Sequence, residues 1–77
     1  MKVSHLAVRY KSLNHTGYLS PDGDLNGLIH AERFPDDESG NAVALRMIEK
    51  FCEAKELDPA YCKVVRITTI VEERVIS

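Results

Sequence analysis

Oxygen-bearing side chains alternate through Asp22-Gly23-Asp24-Leu25-Asn26-Gly27-Leu28-Ile29. A loop that wraps a hard cation needs such a spacing: ligands at its first, third and fifth places, Gly for a sharp bend at the sixth, and an aliphatic residue at the eighth. The twelfth place should supply a bidentate carboxylate, but it holds Arg33, with Glu32 one place early. Residues 14–20 do not read as an incoming helix. A Pro-Asp-Gly turn, with Pro21 fixing φ and Gly23 free to take positive φ, accounts for the same residues more simply. The stretch from Asp22 to Glu32 is therefore read first as a hairpin connection, and as a calcium or metal site only in the alternative.

The remaining reactive side chains are sparse. His5, His15 and His30 lack the close spacing of a zinc site, even with the cysteines counted as soft ligands. A nucleophilic thiol has to be exposed in electropositive surroundings, whereas Cys52 falls within a helical apolar pattern and Cys62 beside Tyr61 at the start of a strand. No glycine-rich phosphate loop is present. These residues predict no catalytic group and no cofactor. A small subunit whose active site is completed by oligomerisation is the enzymatic alternative.

Charge is distributed unevenly. Residues 1–20 carry Lys2, Arg9 and Lys11 for +3, residues 21–38 carry six acids against Arg33 for −5, and the remainder has six of each sign, which sums to the net −2. The acidic block supplies the candidate partner-binding residues Asp22, Asp24, Asp36, Asp37 and Glu38. Clustered exposed carboxylates speed encounter with a basic surface, so the implied partner is a larger host protein or complex. The bland reading is that Asp36, Asp37 and Glu38 cap a helix while Asp22 and Asp24 make a turn. A pI near 5.9 without a basic patch argues against direct contact with nucleic acid. Neither a membrane span nor a signal peptide is legible. A cytoplasmic location with both cysteines as reduced thiols follows.

The elements that must position these residues are legible from periodicity. Residues 4–11 alternate, with Leu6, Val8 and Tyr10 on one side, as a half-buried strand does. Residues 18–20 and 25–34 should flank the Pro-Asp-Gly turn as strands, the second interrupted at Gly27 by a bulge or a short helical turn. Acidic residues after Pro35 mark a helix entry, and the helix should span residues 39–55. Val43, Ala44, Leu45, Met47, Ile48, Phe51, Cys52 and Ala54 form its wide apolar arc. Asp58-Pro59 redirects the chain into a β-branched strand at residues 63–71. Its side bearing Val65, Ile67, Thr69 and Val71 should lie under the helix. These features predict one α+β domain: a two-layer ββαβ-like arrangement, an antiparallel sheet of three to four strands with one helix on one face, and the first and last strands paired. At 77 residues the chain buries a small share of its surface, so a homodimer would be a physical source of further stability.

This layout resembles the small α+β accessory proteins of phages and mobile elements, including anti-CRISPR inhibitors. The residues that carry the resemblance are Leu28-Ile29-His30-Ala31-Glu32 before the acidic helix start, Ala42 and Ala44, and the closing strand from Val64 to Val71. The resemblance lies in the overall plan, and it implies stoichiometric binding to a larger protein through acidic side chains that occupy a nucleic-acid-binding surface.

Overall fold

Alternation along the first ten-residue strand decides the architecture. The computed structural model describes residues 1–76, and its first strand, β1 (Lys2–Lys11), turns Leu6, Val8 and Tyr10 to one side of the sheet. A turn closed by Ser12 N–H on the His15 carbonyl at 2.8 Å leads into β2 (Thr16–Leu19), and the Pro-Asp-Gly turn leads into β3 (Leu25–Asn26). The last strand, β4 (Cys62–Ile70), pairs along β1 from Lys2↔Ile70 to Tyr10↔Cys62. The result is an antiparallel four-stranded sheet in the order β3-β2-β1-β4. The first strand lies inside the sheet and pairs with the last, as the strand pattern predicts.

The single α-helix, α1 (Glu38–Lys55), packs on the face made by Leu6, Val8, Tyr10, Leu19, Cys62 and Val64. Its contribution to the core is Ala44, Ile48, Phe51 and Cys52, with Met47 at the margin. That arc is narrower than the sequence suggests: Val43 and Leu45 remain 39% and 49% exposed. Helix and sheet therefore meet along a strip that widens from Ala44 to the pairs Met47–Ile48 and Phe51–Cys52. Gly40 extends the strip, because its backbone lies so close to Pro35 that a Cβ would stand 1.8 Å from the Pro35 carbonyl oxygen. The helix ends at Glu56, which adopts a left-handed backbone with φ of 55°. Leu57 N–H then bonds the Cys52 carbonyl, which also accepts from Glu56 N–H, and this closes the last turn.

Two expectations are corrected. The side of β4 that faces the helix carries Cys62, Val64 and Arg66, whereas Val65 and Ile67 lie on the opposite side, opposite Ala7 and His5 in the register. Register with β1 sets the face, since Val64 must sit beside Val8. A count of β-branched residues cannot detect that constraint. Phe51 therefore belongs to the core and Ile67 does not. The second hairpin flank also stops at Asn26: beyond Gly27 comes a 3-10 turn (Leu28–His30), the short helical turn that the interruption at Gly27 allowed. His30 lines an open pocket together with Ser20, Pro21, Asp22 and Asn26. The chain returns to the sheet where Glu32 N–H bonds the Leu19 carbonyl and Phe34 exchanges two backbone bonds with Leu6, at 2.8 and 2.9 Å.

Candidate functional site

The acidic residues are divided between the two ends of α1. Asp37 is the helix N-cap. Its Oδ1 accepts from Gly40 N–H and from Ser39 Oγ, both at 2.8 Å, and these bonds hold its carboxyl below the usual aspartate range. Asp36 turns the other way and accepts from Arg66 Nε at 2.9 and 3.0 Å, which ties the helix entry to β4. The Asp36 carboxylate in turn raises the Arg66 guanidinium above its ordinary value, by hydrogen bonding and then by charge. Glu38 is exposed on the first turn. Together with Leu6, Asn41 and Val64, these groups line an open cleft of about 450 Å³. Its floor is apolar, and its rim carries three carboxylates and one guanidinium.

Asp22 and Asp24 lie elsewhere. Gly23, with φ of 82°, makes the turn, closed by Gly23 N–H on the Ser20 carbonyl and Ser20 N–H on the Asp24 carbonyl. Asp22 Oδ1 accepts a short bond from Ser20 Oγ and another from Asp24 N–H, so the Ser20 hydroxyl, followed by the backbone, lowers its pKa. Asp24 faces Lys55 Nζ at 3.4 Å, which puts the hairpin beside the last turn of the helix. An 18-residue helix is about 27 Å long, so the block that is contiguous in sequence forms two separate acidic patches. Asp22, Asp24 and Asp37 serve the turn and the cap, as the bland reading has it, and Asp36 adds an ion pair that sequence does not reveal. No local pattern could have shown the partner, because Arg66 is 30 residues away.

The cation-loop reading can be tested on the same atoms. Asp22 Oδ1 is engaged within the turn, and Asn26 directs its Nδ2 donor, not its oxygen, onto Ser20 Oγ at 2.9 Å. Glu32 Oε2 is buried without a hydrogen-bond partner, but among the described residues no three His, Cys, Asp or Glu side chains converge to hold an ion. In this structure Asp22 and Asn26 are engaged with Ser20 within the hairpin.

The two cysteines are brought together across the core. Cys52 of α1 and Cys62 of β4 are free thiols, both buried, with Sγ atoms 3.6 Å apart. Burial first, then the contact with Cys52, pushes the Cys62 thiol up to about 12. That is the reverse of an activated nucleophile. Among the described residues no helix is long and apolar enough to cross a membrane. The chain matches no protein-family model, no curated protein and no solved structure.

Proposed function

We propose that this protein is a non-enzymatic binding module, an inhibitor or adaptor that engages a basic surface on a larger protein of the cytoplasm. The observation that carries the reading is the cleft at the start of α1, where Asp36, Asp37 and Glu38 rim an apolar floor of Leu6 and Val64. Such a cleft suits an arginine or lysine side chain, whose stem can lie on the floor while its charge meets the rim. Asp22 and Asp24 offer a second, smaller acidic contact at the far end of the helix. The burial of both thiols supports binding over catalysis. The resemblance to accessory proteins of phages and mobile elements implies the same stoichiometric mode of action, with a nucleic-acid-binding protein as target.

The test is a quadruple variant with Asp22, Asp24, Asp36 and Asp37 changed to Asn. Asn can still cap the helix and form the turn, so circular dichroism should stay native-like while four negative charges are lost. A pull-down with the wild type from its native host, followed by mass spectrometry, identifies what is retained. Affinity for that partner should fall in the variant, and the wild-type complex should weaken as salt rises through the physiological range. Unchanged affinity, or indifference to salt, would remove the acidic residues from the contact.

A further inference from the structure

Hydrogen bonding along β4 leaves its outer edge unpaired from Val64 to Ile70. Met1 and Val71 continue the β1–β4 register and exchange both backbone bonds, at 2.7 and 2.9 Å. That pair fixes the phase: the odd residues Val65, Ile67 and Thr69 direct their N–H and C=O groups toward β1. The even residue Leu6 accordingly bonds to Phe34 on the other side of β1. On β4 the even residues Val64, Arg66, Thr68 and Ile70 must direct theirs outward, and β4 is the border strand of the sheet. Exposed strand edges are templates for pairing, and proteins blunt them with proline, bulges or charges. Here the nine-residue edge has no proline, and the charge of Arg66 is balanced by Asp36.

The far half of this edge also belongs to a ribbon with little support. β2 pairs with β1 only from Arg9 to Lys11, so Lys2, Val3 and Ser4 have only Thr68, Thr69 and Ile70 beside them. Val3, Ile70 and Val71 are 47%, 62% and 46% exposed. A two-stranded ribbon in water is marginal by itself.

We infer that this edge is a self-association surface: β4 of one chain pairs antiparallel with β4 of a second copy, about a two-fold axis at Ile67, joining two sheets into one. The occupant is a second copy because the strand is complementary to its own reverse. In this register Arg66 meets Thr68 of the second copy, Val64 meets Ile70, Val65 meets Thr69, and the two Ile67 side chains meet each other. The even residues exchange their outward bonds, so the phase is correct. Lys63 falls opposite Val71 of the second copy and diagonal to its Glu73, within reach of an opposite charge. Centring on Arg66 would oppose two guanidinium groups, and centring on Val65 would leave the apolar end at Ile70 and Val71 uncovered. Val64 and Arg66, which also line the acidic cleft, enter this contact through their backbone edge, whereas Asp36, Asp37 and Glu38 do not pair in it.

Sedimentation velocity from low to high micromolar concentration, combined with amide hydrogen exchange, tests the inference. A monomer–dimer equilibrium is expected. Amides of Val64, Arg66, Thr68 and Ile70 should gain protection with concentration, while those of Val65, Ile67 and Thr69 are protected throughout. Thr68→Pro removes an outward donor and no backbone bond to β1, losing only the exposed side-chain bond to Ser4, and Ile67→Lys opposes two ammonium groups at the axis. Each should weaken association by at least roughly tenfold. A wild type that stays monomeric at all concentrations overturns the inference. So does a dimer in which the even amides gain no protection, a measurement on the wild type alone that holds even if a variant fails to fold.

Discussion

Gly40 sits in a helix, where replacing glycine by alanine ordinarily stabilises by up to about 1 kcal/mol. Here the added methyl group would collide with the Pro35 carbonyl oxygen, a backbone atom that cannot rotate away. Gly40→Ala should instead destabilise by about 1–3 kcal/mol, and urea unfolding should show the inverted sign. Cys62 contributes a pH dependence at the alkaline end. Its folded pKa is raised from 9.0 to about 12, so between those values the unfolded chain has released the thiol proton while the folded chain retains it. Stability due to this group is therefore intact below pH 9 and lost as pH rises toward 12. Melting temperatures of wild type and Cys62→Ala should converge over that window. Asp37 has the opposite sign: its lowered pKa supports the fold above the ordinary value of 3.8 and ceases to do so as pH falls through the folded value. Asp37→Asn should flatten the acid limb of the stability curve.

At the level of elements, the helix and β4 each present two faces, and one of each faces the shared core. Phe51 lies in the core with Ile48 and Cys52, and Phe51→Ala should cost about 3–5 kcal/mol, enough to unfold much of a marginal domain. Ile67, on the side of the sheet away from α1, is half-buried. Ile67→Thr in the monomer should cost about 1 kcal/mol or less, since little apolar area is lost from water. Equal penalties in chemical denaturation would return Ile67 to the core. The Asp36–Arg66 pair joins these two elements outside the core. The guanidinium is 63% exposed, so the pair fixes the entry of the helix relative to β4 more than it stabilises the fold.

For the molecule as a whole, the sheet's arrangement governs where charge is displayed. The segment from Pro21 to Glu38 makes its turn beside Lys55 at the end of α1, rejoins the sheet at Glu32 and Phe34, and then starts the helix. Its acids therefore appear at both ends of α1. Changing only Asp36 and Asp37 to Asn should weaken a partner that uses the cleft, while changing only Asp22 and Asp24 to Asn should leave it nearly unchanged. Titration calorimetry on the two double variants separates the patches. Equal losses would mean a partner that spans the full length of the helix.

The sequence by itself determined β1, the turn, the helix and the last strand in their order, because period and punctuation are local properties, but not the extent of the second hairpin flank. Alternation marked β1, the acidic run after Pro35 marked the helix entry, and the Pro-Asp-Gly triplet marked a turn that the structure closes around Gly23. The tertiary structure alone decided which face of β4 meets the helix, since both faces carry apolar residues and only the register with β1 chooses between them. It also decided that a single acidic block becomes two patches, that Asp36 finds Arg66, and that Cys52 touches Cys62. Each of these depends on residues far apart in the chain brought together by strand pairing and helix packing, and no local pattern of residue types encodes such a distance.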